Sequence, residues 1–225
     1  MSGRETILAS IRKSLGVSGK EATRRETAAA RVQGHPRGIV PARGQKKNEE
    51  LLALFCAMVE NAKASITVLD SDSGVPAEVA RYLRSKNLPH EVRRGADERL
   101  SLIPWAKEAA LGVSVGASDG KQLASVSHAF GGVAESGTLV LLSGNDNPTT
   151  LNFLPDHHLV VVDEKDIASD YETVWDNIRA RFGERGMPRA VNWITGPSRS
   201  GDIEQTHLLG AHGPRSLHVL VVRSP

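Results

Sequence analysis

The chain has 225 residues, of which 40% are hydrophobic and 24% are charged, and its formal net charge is +2. Its apolar runs are only a handful of residues long, far short of the roughly 20 that a membrane-spanning helix requires, so we expect no membrane span. The single cysteine, Cys56, excludes a disulfide within the chain and any iron–sulfur or zinc site built from several cysteines. The N-terminus lacks the continuous apolar core of a secretory signal, which predicts a cytoplasmic protein.

The first 47 residues differ from the rest in charge. They hold 11 Lys and Arg against three Glu, whereas the remaining 178 residues hold 17 basic and 23 acidic residues. Apolar residues near one helical face predict an N-terminal helix that ends at Gly16, and a linker with Gly, Pro and Arg follows it. Because the basic charges are scattered without aromatic side chains, nucleic acid is not expected as a partner. We therefore divide the chain into residues 1–47, a helix and basic linker, and residues 48–225, an α/β domain.

From Asn48 onward, helical and strand patterns alternate. Helices are predicted at residues 48–64, 76–87 and 168–183, and strands at residues 65–70, 90–94, 111–115, 137–143, 158–163, 189–195 and 216–222. Near-continuous Val, Leu and Ile strands separated by helices are typical of a sheet that is buried on both faces. The pattern predicts an α/β fold with a mostly parallel sheet and helices on both of its faces.

The first segment with chemical character is AFGGVAESGTLVLLSG, from Ala129 to Gly144. Glu135 follows a turn of small residues and precedes an apolar strand. A partly desolvated carboxylate there can act as a nucleophile or base, which makes Glu135 a candidate catalytic residue and Gly137 and Thr138 candidate ligand-binding residues. The alternative is that Glu135 accepts hydrogen bonds from nearby backbone amides and is structural.

The second segment begins at Val191, where a predicted strand ends at Thr195 and a turn leads to a helix that starts at Ser200 or Asp202. Ligands of α/β sheets bind where a parallel strand ends beside a helix N-terminus. Amides, a hydroxyl and a guanidinium there would suit a carboxylate or phosphate. The candidate ligand-binding residues are Gly196, Ser198, Arg199, Asp202, Glu204, His212 and Gly213. The alternative is a capped helix with a solvent-facing Arg199, which either acid could pair.

Both segments adjoin predicted strands of the parallel sheet, so we expect them to meet in one cleft at its C-terminal edge. There, Glu135, Gly137 and Thr138 would face Ser198, Arg199, Asp202 and His212. A metal site is not expected, because His207 and His212 are separated by a glycine-rich break and match no zinc-protease spacing. The chain also has no phosphate-loop or dinucleotide fingerprint, so we expect no cofactor in it.

Three stretches together resemble the lactate-utilization protein C family, whose members carry the LUD domain. They are VAESGTLVLLS, LNFLPDHHLVVV and ITGPSRSGDIEQTHLLGAHGPRSLHVLVV, and the likeness covers residues 50–225 and the short N-terminal helix. Departures are small: Ser136 stands where Thr is usual, and Ser200 and Gly201 stand where Thr and Ala are usual. The resemblance implies a fold similar to the NagB/RpiA/CoA-transferase-like group.

The resemblance also implies a function. Members of the family are bacterial proteins encoded with two iron–sulfur partners, and together they oxidise L-lactate to pyruvate. This chain would then be the non-redox subunit of such a system, binding a small carboxylate or a partner protein. The alternative is an independent enzyme of the CoA-transferase-like fold that uses Glu135 on an acyl-CoA or a sugar phosphate. Whether the isolated chain is catalytic stays open at this point.

Overall fold

The structure, a computed structural model, describes residues 2–183, 186–201 and 207–223. It divides into one unit that ends at Ile39 and a second that begins at Val40. The first unit contains α1 (Gly3–Leu15) and α2 (Ala22–Gly34). The predicted N-terminal helix begins with a reciprocal cap, in which the Ser2 hydroxyl accepts from the Glu5 amide and the Glu5 carboxylate accepts from the Ser2 amide. It ends at Gly16, whose left-handed backbone suits glycine.

The second unit alternates short helices with strands. Its helices are α3 (Asn48–Asn61), α4 (Val75–Ser85), α5 (Glu98–Leu102), α6 (Thr150–Phe153) and α7 (Tyr171–Phe182). Its strands are β1 (Ser65–Leu69), β2 (Glu91–Arg94), β3 (Gly112–Val115), β4 (Ala124–His128), β5 (Gly131–Val133), β6 (Thr138–Leu142), β7 (His157–Asp163), β8 (Ile167–Ala168), β9 (Val191–Ile194), β10 (Arg199–Gly201), β11 (His207–Leu209) and β12 (Ser216–Val222). No helix among the described residues is long and apolar enough to cross a bilayer.

A six-stranded sheet forms the centre of this unit, with the strand order β1-β12-β7-β4-β2-β3 and every pair parallel. Side chains alternate across it, so that Val219 and Val221 of β12 join the core beneath α3, whereas Leu220 and Val222 join the core beneath α4 and α5. The predicted α/β fold, with a parallel sheet covered on both faces, is confirmed.

A second sheet of four strands has the order β8-β5-β6-β9, and β6 is antiparallel to both of its neighbours. The strands predicted at residues 137–143 and 189–195 lie in this sheet, so their expected place in the parallel sheet was wrong. The reason is the four-residue turn between β5 and β6, which is long enough only for an antiparallel connection. One face of this sheet packs towards α3 through Leu139 and Leu141, and the other packs on α7 through Val140.

The helix expected to start at Ser200 or Asp202 is replaced, where the structure describes the segment, by the antiparallel pair β10 and β11. Gly201 disfavours a helix, and its backbone instead pairs with that of His207. Asp202 and Glu204 lie outside the described residues.

Candidate functional site

The turn between β5 and β6 packs against the backbone of α3. Gly137 has a positive φ of +67°, and a Cβ at this position would overlap the backbone of Met58 and Val59. Only glycine meets both conditions, because it tolerates this backbone conformation and has no side chain. The turn that carries Glu135 is therefore held closely to one helix.

Glu135 lies in this turn with only 4% of its surface exposed. Its amide donates to the Ser169 carbonyl at 3.3 Å, and Gly44 lies close enough that a Cβ there would be 3.0 Å from the Glu135 Cβ. The Oε2 atom is buried, and no group in the described part of the chain donates a hydrogen bond to it. A buried carboxylate oxygen without a donor is costly, so Oε2 is available to a ligand that donates a hydrogen bond.

Four hydroxyl groups meet beside this turn, and we call Ser136, Thr138, Tyr171 and Thr195 the hydroxyl cluster. The Thr138 Oγ1 atom lies 2.7 Å from the Ser136 Oγ atom, 2.9 Å from the Tyr171 hydroxyl oxygen and 2.6 Å from the Thr195 Oγ1 atom. Ser136 and Tyr171 are also 2.9 Å apart. Thr138 is completely buried, whereas Thr195 is exposed, so the cluster connects the interior with the surface.

Thr195 and Tyr171 were not predicted as members of this group. Thr195 follows the last residue of β9, and the antiparallel pairing of Leu139 with Ile194 brings it opposite Thr138. Tyr171 is the first residue of α7. The pattern of the sequence contains no signal for this pairing, because it depends on which strands are neighbours.

The second predicted segment also packs on α3, one turn further along. Gly196 has a φ of +75°, and a Cβ there would overlap the Ala62 carbonyl. The Arg199 guanidinium donates from Nη2 to the same carbonyl at 3.1 Å. A positive charge at the carboxyl end of a helix is stabilising, so Arg199 caps α3 while its side chain stays exposed.

Ser198 connects the Gly196 turn to the loop that precedes β12. Its hydroxyl accepts from the His212 amide at 3.2 Å, its amide donates to the Pro214 carbonyl at 2.9 Å, and its carbonyl accepts from Gly210. A Cβ on Gly213 would be 3.4 Å from the Ser198 Cβ. Ser198, His212 and Gly213 are therefore neighbours, and their role in ligand binding stays a prediction.

The predicted site residues thus fall along the C-terminal half of α3, where β6 begins and β9 ends. This place belongs to the antiparallel sheet, and so the expected position at the C-terminal edge of the parallel sheet was wrong. Thr138 adjoins Thr195, but none of the described contacts joins Glu135 to Arg199. A shared binding site for the two segments stays a prediction.

The C-terminal edge of the parallel sheet holds other charged residues that the sequence analysis missed. Asp97 accepts from Arg99 three times, from its amide at 2.9 Å, from Nε at 3.1 Å and from Nη2 at 2.8 Å. Burial alone would raise the pKa of Asp97, but these bonds and the charge of Arg99 hold it below the usual range. His128, at the end of β4, has its Nε2 atom 3.8 Å from Asp163 at the end of β7.

Within the described ranges no three His, Cys, Asp or Glu side chains are grouped so that they could hold a metal ion. Cys56 is half-buried in α3, and burial together with the charge of Glu60 raises the pKa of its thiol. A thiol in this environment is not activated as a nucleophile.

A family model described as the LUD domain matches residues 46–222. The chain belongs to the LUD domain family. It is 37% identical over 92 residues to lactate utilization protein C of Halalkalibacterium halodurans, a match that covers 40% of each chain. It is 36% identical over 108 residues to the protein of the same name from Geobacillus thermodenitrificans, covering 46% of this chain and 45% of that one. The resemblance to the lactate-utilization protein C family is thus confirmed.

Two further comparisons concern proteins without a stated function. An uncharacterized protein of Neisseria meningitidis serogroup B is 36% identical over 91 residues, which cover 40% of this chain and 38% of that protein. The chain therefore spans less than half the length of the curated relatives it matches. The crystal structure of a DUF162 family protein from Deinococcus radiodurans superposes with a TM-score of 0.60 and 22% identity, covering 79% of this chain and 99% of that one. This likeness concerns the fold alone.

Proposed function

We propose that this protein serves in lactate utilization as a subunit without redox centres of its own. The observation that carries the proposal is its membership of the LUD domain family, together with relatives that are named lactate utilization protein C. Oxidation of L-lactate to pyruvate releases two electrons and two protons, and the electrons need an acceptor. A chain with one cysteine cannot supply the four thiolates of a typical iron–sulfur cluster, so partner proteins that hold such clusters would take the electrons.

The role of this chain in the proposal is to bind a small carboxylate beside the Gly196 turn. Thr195 and Arg199 are both exposed on either side of this turn. Of the five N–H groups of the Arg199 guanidinium, the described contacts use one, to the Ala62 carbonyl. The remaining N–H groups and the Thr195 hydroxyl can donate to carboxylate oxygens, and the guanidinium supplies the opposite charge.

Growth of a deletion strain tests this proposal. Deletion of the gene from its source bacterium should abolish growth on L-lactate and leave growth on pyruvate unchanged, since pyruvate enters after the oxidation step. Affinity purification of the tagged chain from lactate-grown cells should also recover proteins that contain iron and acid-labile sulfide. Unimpaired growth on L-lactate would refute the proposed role.

The environment of Glu135 favours a second candidate function, acyl transfer. Its buried Oε2 atom has no donor in the described part of the chain, so this oxygen is not held by the backbone amides that a structural role would supply. In this alternative, the carboxylate attacks the carbonyl carbon of an acyl-CoA, the thiolate of coenzyme A leaves, and an acyl-glutamyl anhydride forms. Mass spectrometry after incubation with acetyl-CoA should then detect a label on Glu135 that is absent from Glu135→Gln and retained by Glu91→Gln, whose carboxylate is exposed. Absence of a label on the wild-type protein contradicts this alternative.

A further inference from the structure

The parallel sheet has a crevice between the carboxyl ends of β2 and β4. These two strands are neighbours, but the chain leaves β2 towards β3 on one side and leaves β4 towards β7 on the other. Where two neighbouring strands send their connections in opposite directions, a crevice forms outside their carboxyl ends, and α/β sheets bind ligands in this crevice. A cavity of about 210 Å³ lies there, and its lining includes Asp97, Arg99, His128, Phe130, Asn147 and Arg181. At about 30 Å³ per water molecule, it has room for a ligand of roughly seven non-hydrogen atoms.

His128 presents a hydrogen-bond acceptor to this cavity. Its Nδ1 atom is 2.9 Å from the Ala129 carbonyl, which can only accept, so Nδ1 carries the hydrogen and Nε2 carries the lone pair. Burial, and then the nearby charge of Arg99, lowers the pKa of His128 and keeps the ring neutral. Asp163 is 3.8 Å from Nε2, beyond hydrogen-bond distance, and none of the described residues donates to Nε2. The Nε2 lone pair is therefore available to a ligand.

Arg99 is held rigidly at the floor of the cavity. Three of its five N–H groups are used, two by the Asp97 carboxylate and one, from Nη1, by the Ala129 carbonyl at 3.0 Å. The ion pair with Asp97 orients the guanidinium and neutralises most of its charge. Two N–H groups of Arg99 remain for other acceptors in the described structure.

Arg181 supplies the positive charge of the cavity wall. Its guanidinium carbon lies 5.6 Å from the ring centres of both Phe130 and Phe182. Among the described residues no carboxylate forms an ion pair with Arg181, whereas the neighbouring Arg179 is paired with Asp176 at 3.0 Å. Two acids line the cavity, Asp97 and Asp146, and Asp97 is already paired with Arg99. An anionic ligand would thus find an unpaired cation beside an apolar wall.

We infer that this cavity binds a small hydroxy acid, whose carboxylate pairs with Arg181 and the remaining N–H groups of Arg99, and whose hydroxyl donates to Nε2 of His128. A simple carboxylate would leave Nε2 without a donor, and a neutral alcohol would form no ion pair with Arg181, which is exposed at the cavity wall. The cavity shares no residue with the hydroxyl cluster or the Gly196 turn. The inference depends on the chemistry of the lining and does not require the proposed role in lactate utilization.

Calorimetric titration of the full chain with matched acids tests the inference. The probes are L-lactate against propionate and glycolate against acetate, because each pair differs by one hydroxyl group. We expect the hydroxy acid of at least one pair to bind about tenfold more tightly than its partner, as one hydrogen bond accounts for about a factor of ten. His128→Phe keeps the ring but removes Nε2, and it should abolish this preference while the simple acid binds as before.

The charged contact is tested with a matched pair of variants on α7. Arg181→Gln should weaken both acids of a pair about equally, by roughly tenfold or more. Arg179→Gln removes the paired arginine of the same helix and should leave both affinities unchanged. Equal affinity for hydroxy and simple acids in the wild-type protein would overturn the inference, and this comparison requires no variant to fold. Absence of binding at millimolar concentrations would overturn it as well. Growth on L-lactate reports separately on the proposed function.

Discussion

Protonation of His158 is expected to determine much of the acid sensitivity of the fold. This side chain is the second residue of β7, an interior strand of the parallel sheet, and it has no exposed surface. Its Nε2 atom is 3.0 Å from the Ser127 hydroxyl, which itself donates to Asn152, so Nε2 carries the hydrogen. Nδ1 is buried without a partner among the described residues. Burial lowers the pKa of His158 from 6.5 to about 3, because a charged ring would have no water and no counter-ion.

The sign and size of the effect follow from this depressed pKa. Between pH 6.5 and pH 3 the unfolded chain binds a proton at His158 that the folded chain does not bind. The free energy of unfolding therefore falls as the pH falls through this window, and the stability is fully present only above pH 6.5. From pH 7 to pH 5, His158 alone should remove about 2 kcal/mol.

Urea unfolding at pH 7 and pH 5 measures this contribution. His158→Gln keeps a donor for Ser127 but does not titrate, so its free energy of unfolding should fall by about 2 kcal/mol less than that of the wild-type protein over the same interval. His90→Gln removes an exposed imidazole and should follow the wild type. If the wild type and His158→Gln lose the same stability on acidification, the reasoning is wrong.

Three further predictions concern α3 and the candidate site. Gly137→Ala should lower the melting temperature by an amount equivalent to more than about 1 kcal/mol, whereas Gly120→Ala, also at positive φ but with open space around it, should cost less. Thr138→Val removes the buried hydroxyl at the centre of the cluster, whose partners can still bond each other or water, and should cost about 1 kcal/mol in urea unfolding; no change would contradict the described cluster. Arg199→Ala should abolish growth on L-lactate with only a small fall in melting temperature. Leu141→Ala opens a core cavity, so it should reduce both the growth on L-lactate and the melting temperature, at a cost of about 2–5 kcal/mol in the free energy of unfolding. Growth of Arg199→Ala cells at the wild-type rate would remove Arg199 from the site.

The parallel sheet could be predicted where its strands are mostly apolar. Val and Leu make up four of the six residues 158–163 and five of the seven residues 216–222, because both faces of β7 and β12 are buried. β4 was missed, since its sequence ASVSH contains two serines. Their hydroxyls are satisfied inside the protein, Ser125 by the Leu151 carbonyl and Ser127 by Asn152. These partners come from α6, and local sequence does not contain that information.

The candidate site was predicted in part for the same reason. Glu135 and Arg199 could be singled out from their local pattern, because each adjoins an apolar strand and a turn. That Thr138 meets Thr195 depends on the antiparallel pairing of β6 with β9, which the expectation of a single parallel sheet excluded. His128 was missed because the strand that ends on it was missed.

The contacts that position the two candidate turns have a consequence for how the family can vary. A Cβ at Gly137 would meet only the backbone of α3, at Met58 and Val59, whereas a Cβ at Gly196 would meet the Ala62 carbonyl and the Ala62 Cβ at the end of the helix. Every residue type has the same backbone, so exchange of the half-exposed Met58 side chain leaves the position of the Gly137 turn unchanged. Each glycine, in contrast, would bring a Cβ into the helix if it were exchanged. Met58 should therefore tolerate substitution, whereas Gly137 and Gly196 should not, and the buried Val59 stays constrained by the core on its other side.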